Sequence, residues 1–469
     1  MSNTLKLSFW SGGGTVTGAN FELATDTYHV LVDCGLLQGV PDSGTFNTGA
    51  FPYDPASKQV LVITHAHMDH VGRIGKLVKD GFTGVIYSTK TTRDLAELML
   101  ADALKIMGFD SRDNGTEPMY TGQDVEKAFS LWKTIPYHTH KDIGGGFSVY
   151  LKDAGHILGS AIVEISYGDS KIAFTGDLGN SPSLLLRDTE DVAGVDYLVM
   201  ESVYGDRNHE SKEERRSKLK QAFLDIVKSN GTLVIPAFSL ERTQVILYEL
   251  NEMIENKEIP SIPVFLDSPL AIRITEIYKE TSEHYNQDVK DDIKGGDKIF
   301  NFPKLKFTPQ ARDSGIIQKA PNPKIIIAGS GMSAGGRVVN HEARYLPDPK
   351  NIILLIGYQA VGTMGRELSE GTKEVTINGQ QVKVQAEIRK IGGYSSHKDS
   401  DHLVEFVENA TRLPSSDAKQ MAGRSNKLKK VFLVLGEPKS ALFLSQRLRD
   451  YVGVETVVPE NKDSYELEF

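Results

Sequence analysis

Cysteine is nearly absent from this chain: Cys34 stands alone, so no intrachain disulfide can form and no zinc-thiolate site can be built. That agrees with a reducing compartment. No run of about 18 apolar residues occurs, so no membrane-spanning helix is expected. The start, Met1 to Trp10, also lacks the charged and then apolar pattern of a signal peptide. The expectation is a soluble cytoplasmic protein that does not engage a membrane. Positive charge is scarce as well, with 62 acidic side chains against 53 basic ones and a net charge of −9. No global field announces nucleic acid, and such a ligand would need a local basic cleft. Low-complexity sequence and internal repeats are missing. No Gly-Lys-Ser/Thr follows Gly12, Gly13 and Gly14, which excludes a phosphate loop there.

What is present is enough for a large core. At 469 residues, with 39% hydrophobic and 8% aromatic side chains, the chain fits two or three globular domains. Its most informative stretch is Thr64-His65-Ala66-His67-Met68-Asp69-His70-Val71-Gly72. It follows the apolar run Val60 to Ile63, read as a buried strand, and precedes a segment with helical spacing of Ile74, Leu77 and Val78. In extended backbone, residues two apart face the same way, so His65 and His67 can present imidazoles to one ion. Asp69 and His70, in the tightening turn, can face another.

Other ligands must come from elsewhere along the chain. His156 ends the strand from Phe147 in a turn flanked by glycine, and Asp177 ends the second arm of a hairpin, Ile162 to Ser166 and Lys171 to Thr175. A carboxylate placed there suits bridging two cations. His397 ends a strand beginning at Glu387 and can supply a ligand missing from the second metal. Asp33, at the end of the strand from His29, either orients neighbouring ligands or caps its own turn. A helix is read from Thr92 to Met107, with Gly108 to Pro118 as a surface loop. After Glu201 to Gly205 the composition shifts: strands at Leu233, Val264, Lys324 and Ile352 alternate with helices, which predicts a second, parallel-sheet unit. A hairpin is read around Asn378-Gly379.

His65 to His70, His156, Asp177 and His397, with Val32-Asp33-Cys34-Gly35, Phe174 to Gly179, Glu201 to Gly205, Gly331-Met332 with Gly335-Gly336-Arg337, and Gly357-Tyr358-Gln359 with Gly362-Thr363, resemble the metallo-β-lactamase fold with a β-CASP insertion. The likeness runs over nearly the whole chain and is strongest to prokaryotic relatives of the cleavage and polyadenylation endonuclease subunit. It implies an α/β protein: a four-layer αββα body over residues 1–205 and 385–469, with an inserted parallel α/β domain over 206–384 and an RNA cleft between. It further implies two zinc ions, one on His65, His67 and His156, the other on Asp69, His70 and His397, with Asp177 bridging both. Two zincs about 3.5–4 Å apart lower the pKa of a water between them and neutralise phosphate charge, so no protein nucleophile is required.

The activity implied is a zinc-dependent ribonuclease on single-stranded RNA, mainly endonucleolytic, with 5′ exonuclease activity as an adjunct. Asp69, His397 and Glu201 are the catalytic candidates. Alternatives are a DNA-processing nuclease, a small ester or thioester metallohydrolase, and a non-catalytic RNA-binding scaffold. The resemblance also admits a homodimer. Candidate phosphate contacts are Ser239 and Arg242, where a helix begins, and Ser330, Gly331, Met332 and Arg337 in a glycine-rich turn. Ordinary helix starts and tight turns remain the competing reading. Lys419 to Lys430 reads as a solvated basic loop.

Two positions depart from the family pattern. Arg366 and Glu367 stand where eukaryotic members carry a histidine that pairs with an acid like Glu201, and Leu435 stands where relatives often have histidine before Gly-Glu. A carboxylate facing Glu201 would repel it, so Arg366 is expected to bind Glu201 or a substrate phosphate.

Overall fold

The computed structural model describes residues 4–360, 362–412 and 428–468, and most of the basic stretch from Lys419 lies outside them. Two compact units emerge, Met1–Asn208 with His397–Phe469, and His209–Ser396. Among the described residues no helix is long and apolar enough to cross a membrane.

The first unit contains two 7-stranded sheets. One runs Asp463–Glu468, Thr4–Ser11, Asn20–Ala24, His29–Val32, Val60–Val62, Val85–Ser88, Trp132–Thr134. The other runs Glu455–Val457, Lys430–Val434, Tyr197–Glu201, Ser170–Phe174, Ala161–Tyr167, Phe147–Asp153, Lys141–Gly144. Alternation in each strand sends one set of side chains into the space between the sheets. Leu5, Leu7, Phe9 and Phe21 meet Val149, Val163, Phe174 and Phe432 there in one cluster. Behind the second sheet, Leu403, Phe406 and Val407 of helix Ser400–Thr411 and Leu444 of helix Pro438–Arg447 pack on Leu198, Met200 and Leu433. Helices Ile74–Lys79, Lys90–Asn114 and Gly122–Ser130 belong to the first sheet's side, which completes the αββα layering.

Helix Lys90–Asn114 runs through most of the region read as a loop from Gly108 to Pro118. Gly108 is accommodated inside it, and the stop is Gly115, left-handed at φ 64°. The last strand, Asp463–Glu468, escaped sequence reading because only Leu467 of it is buried.

The second unit is built on a 6-stranded, wholly parallel sheet in the order Leu305–Phe307, Val264–Asp267, Lys324–Ala328, Thr232–Pro236, Ile352–Ile356, Glu387–Ile391. The Asn378-Gly379 hairpin forms as expected, Glu374–Ile377 against Gln380–Lys383. The compact second unit runs past Val384, the boundary expected from the sequence. Glu387–Ile391 pairs in parallel with Ile352–Ile356 and a short turn, Gly392–Tyr394, follows it, so the segment through Ser396 belongs to the insertion.

Candidate metal centre

All the predicted metal ligands lie in the first unit: His65, His67, His156 and Asp177 follow its strands, Asp69 and His70 sit in the short helix Met68–Val71, and His397 stands where the chain re-enters it. Parallel pairing of His29–Val32 with Val60–Val62 sets Asp33 beside Thr64. Asp33 accepts from the Thr64 N–H and hydroxyl, each at 2.8 Å, and its Oδ2 lies 2.7 Å from His70 Nδ1. Of its two sequence readings, Asp33 takes the orienting one: holding Nδ1 turns His70 Nε2 the other way. Two glycines permit this crowding. A β-carbon on Gly35 would fall 1.5 Å from the Asp69 carbonyl oxygen, and one on Gly176, left-handed at φ 54°, would strike the Thr64 side chain at 2.7 Å.

Three rings and one carboxylate then converge. His65 Nε2 lies 3.1 Å from His67 Nδ1, His156 Nε2 lies 3.3 Å from the same atom, and Asp177 Oδ2 lies 3.4 Å from both His65 Nε2 and His156 Nε2. A zinc bonded at about 2.0–2.1 Å to tetrahedral donors requires donor separations of about 3.3 Å, so this set fits the ion. Burial pulls the His65 imidazole below its ordinary pKa and those of His67 and His156 well below it. Neutral rings can share at most one proton across each facing pair of nitrogens, whereas a cation takes a lone pair from every one of them at once, and it answers that arrangement. A second set adjoins: His70 Nε2, buried and without a hydrogen-bond partner, stands 3.4 Å from Asp177 Oδ1 and 3.9 Å from Asp69 Oδ2. If Asp33 fixes that ring, Asp33→Asn should weaken zinc binding at the His70 position about 10–100-fold, read by competition with a chromophoric chelator.

His397 forms a donor group with Asp177 and Glu201, and Asp177 is shared with the group of Asp69 and His70. Its Nδ1 sits 3.1 Å from both oxygens of Glu201, which is fully buried and also accepts the Leu178 N–H at 2.6 Å. Burial alone would strip the His397 proton, but the Glu201 and Asp177 carboxylates outweigh it and push the imidazole up to about 9. Leu435 is buried, donates its N–H to the Gly12 carbonyl at 2.8 Å and takes a left-handed φ of 50°.

The expected substrate contacts all lie in the second unit, following the C-terminal ends of its strands. Both arginines are tied to the unit's own chain. Arg242 is buried, donates to the Ile356 carbonyl at 2.9 Å and stacks 5.3 Å over Phe238. Arg337 donates to Asp267 Oδ1 at 2.6 Å and to the Thr308 and Pro309 carbonyls. These contacts tie both arginines to strand ends of their own unit. Ser239 Oγ lies 3.2 Å from Ser268 Oγ, Ser330 Oγ accepts the Ala334 N–H, and the Gly331 and Met332 carbonyls accept from Gln359 Nε2 and the Gly365 N–H. Arg366 Nε donates to Glu370 at 2.5 Å.

Sequence reasoning missed Asp267, although it ends a strand just as Asp33 does. Asp267 is fully buried and, against the effect of that burial, is held at about 2 by His341, Arg337 and Thr308. Arg337→Ala should destabilise this unit by about 3 kcal/mol, seen in thermal denaturation, because it leaves that carboxylate short of its charged partner.

Three family models match this chain: Metallo-beta-lactamase superfamily over residues 21–237, Beta-Casp domain over 243–368, and Zn-dependent metallo-hydrolase RNA specificity domain over 381–459. Ribonuclease TTHA0252 of Thermus thermophilus is 33% identical over 399 residues, spanning 85% of this chain and 89% of that protein. The chain belongs to the metallo-β-lactamase superfamily, among its β-CASP RNA-processing nucleases. Transcription termination factor FttA of Thermococcus kodakarensis is 32% identical over 463 residues, 94% of this chain and 68% of its own. A crystal structure of a protein of unknown function from Enterococcus faecalis V583 covers 99% of the β-CASP chain at 13% identity and a TM-score of 0.56, a likeness of fold. As a member of this superfamily the protein is a metallohydrolase whose histidine and aspartate clusters suit divalent cations.

Proposed function

We propose that this β-CASP protein cuts single-stranded RNA internally by phosphodiester hydrolysis, in the cytoplasm, with two zinc ions. The supporting observation is the convergence of two donor groups on one carboxylate, Asp177, in a chain with a ribonuclease among its relatives. His65, His67, His156 and Asp177 would hold one ion, and Asp69, His70 and Asp177 the other. Bound there, the ions would supply an activated water and charge neutralisation at the phosphate oxygens. The protein's own groups position and exchange protons. Asp69 would orient the attacking water, with its side chain still one-fifth exposed. His397, aimed by Glu201 and kept protonated by it, would give its proton to the leaving oxygen.

The test is cleavage of internally labelled single-stranded RNA, as closed circles and as linear chains, by the zinc-loaded protein beside Asp69→Ala. Cut circles with wild type and intact circles with the variant are expected. Cutting of linear RNA alone would make the enzyme an end-dependent exonuclease, and no cutting of either would favour the small-ester reading.

A further inference from the structure

The first sheet of the first unit carries a cavity of about 410 Å³ on its outer face, and the geometry points to a binding site there for a ribonucleoside. No metal ligand lines this cavity, so the inference stands apart from the nuclease reading. Alternation in Thr4–Ser11 and Asn20–Ala24 sends Leu7, Phe9, Phe21 and Leu23 into the core between the sheets. Ser8, Trp10, Glu22 and Ala24 therefore face outward, into the cavity. Its volume is at the lower end of the range for small-molecule sites, about 300–1,000 Å³.

The buried Glu22 carboxylate anchors the cavity floor. It accepts from Lys58 Nζ, from His29 Nδ1 at 2.7 Å and from Trp10 Nε1 at 2.8 Å, so it asks nothing of a ligand. Two of these partners keep capacity to spare. Lys58, its side chain only 5% exposed, has three N–H groups, and Glu22 is its one carboxylate among the described residues. His29 gives its Nδ1 proton to Glu22, and in the neutral ring Nε2 is then an acceptor with no hydrogen-bond partner among the described residues. A donor and an acceptor on one floor match the Watson–Crick edge of a base, which carries both. Trp10 supplies the stacking surface. Its Nε1 is held by Glu22 and its ring lies 5.4 Å from Tyr53, which is itself fixed by Phe51 at 5.2 Å and by a hydroxyl bond to Asn20 at 3.0 Å. The indole is thus preorganised for an unpaired base. At the rim stand Asp26 and Glu466 against the single charge of Lys6, all three exposed. That balance does not favour a phosphate, whereas carboxylates accept hydrogen bonds from ribose hydroxyls. Base and ribose are recognised, a chemistry shared by a free nucleoside and the 3′-terminal residue of an RNA.

Calorimetric titration of the full chain with adenosine should show one site with a dissociation constant of about 10–100 µM, ordinary for a ligand of that size. Binding should also quench Trp10, one of two tryptophans; the other, Trp132, is buried with its Nε1 on Ser88. 2′-Deoxyadenosine should bind about tenfold more weakly, the loss of one hydrogen bond to a charged group. Adenosine 5′-monophosphate distinguishes the sources: affinity equal to that of adenosine assigns the site to an RNA 3′ end, and weaker binding assigns it to free nucleoside. His29→Phe, with folding checked by circular dichroism, keeps a ring and removes the acceptor, and should weaken adenosine binding about tenfold. Asp26→Ala combined with Glu466→Ala changes only exposed side chains and should make adenosine and 2′-deoxyadenosine bind alike. Absence of both heat and quenching at millimolar adenosine, or wild-type affinity in both variants, would overturn the inference.

Discussion

Asp177→Asn is expected to lower RNA cleavage by roughly 10⁴-fold or more, the scale of loss when one member of a constellation that acts as a unit is removed, while the fold persists. The carboxylate follows the strand Ser170–Phe174 through the left-handed Gly176 and meets three imidazoles at 3.4 Å, His65, His156 and His70. Despite burial, His70, His65 and His397 hold its pKa well below the ordinary carboxylate range, so it is an anion at any working pH. Asparagine keeps the shape and removes the charge that both cation positions share. Single-turnover cleavage of labelled RNA, with circular dichroism as the control for folding, reads the effect. A folded variant retaining a tenth of wild-type activity would place the chemistry elsewhere in the molecule.

The parts of this site that were legible in the sequence are those built locally. His65, His67, Asp69 and His70 share one strand-to-helix turn, where backbone geometry alone brings ligands together, and Asp33, His156 and Asp177 share the signal of a polar residue closing an apolar strand. His397 carries the same signal, yet its partner was illegible. Glu201 closes the strand Tyr197–Glu201 far away in sequence, and only the folded first unit shows the two bonded through Nδ1. The partners of Arg242 and Arg337 were hidden for a related reason. An arginine at the start of a helix looks like a phosphate ligand, and nothing local reveals that the Ile356 carbonyl and Asp267 also receive donors from these side chains. The parallel sheet of the second unit was legible from its apolar runs, but Glu387–Ile391 is mostly exposed or half-exposed, so its membership rests on pairing with Ile352–Ile356.

In the second unit, Glu342→Gln is expected to stabilise the protein at alkaline pH and to change little near pH 5. Glu342 sits on helix Val338–Tyr345 with no exposed surface. One carboxyl oxygen accepts the Ser333 hydroxyl at 2.5 Å and the other is buried without a hydrogen-bond partner. Among the described residues no cation pairs with it, and burial raises the carboxyl from 4.5 to about 8. The folded protein therefore binds a proton that the unfolded chain releases above 4.5. Stability from the neutral carboxyl is fully present below that value and is lost as pH rises through about 8, a span worth at most about 5 kcal/mol. Glutamine cannot ionise and keeps an acceptor for Ser333, so the variant should lack this decline. Hydrogen exchange of the amides in strand Thr232–Pro236, compared at pH 5 and pH 9 after correction for intrinsic rates, reads this unit by itself. Equal loss of protection in wild type and variant would show that Glu342 does not carry the pH dependence, whereas protection retained only in the variant would locate it in this single buried acid.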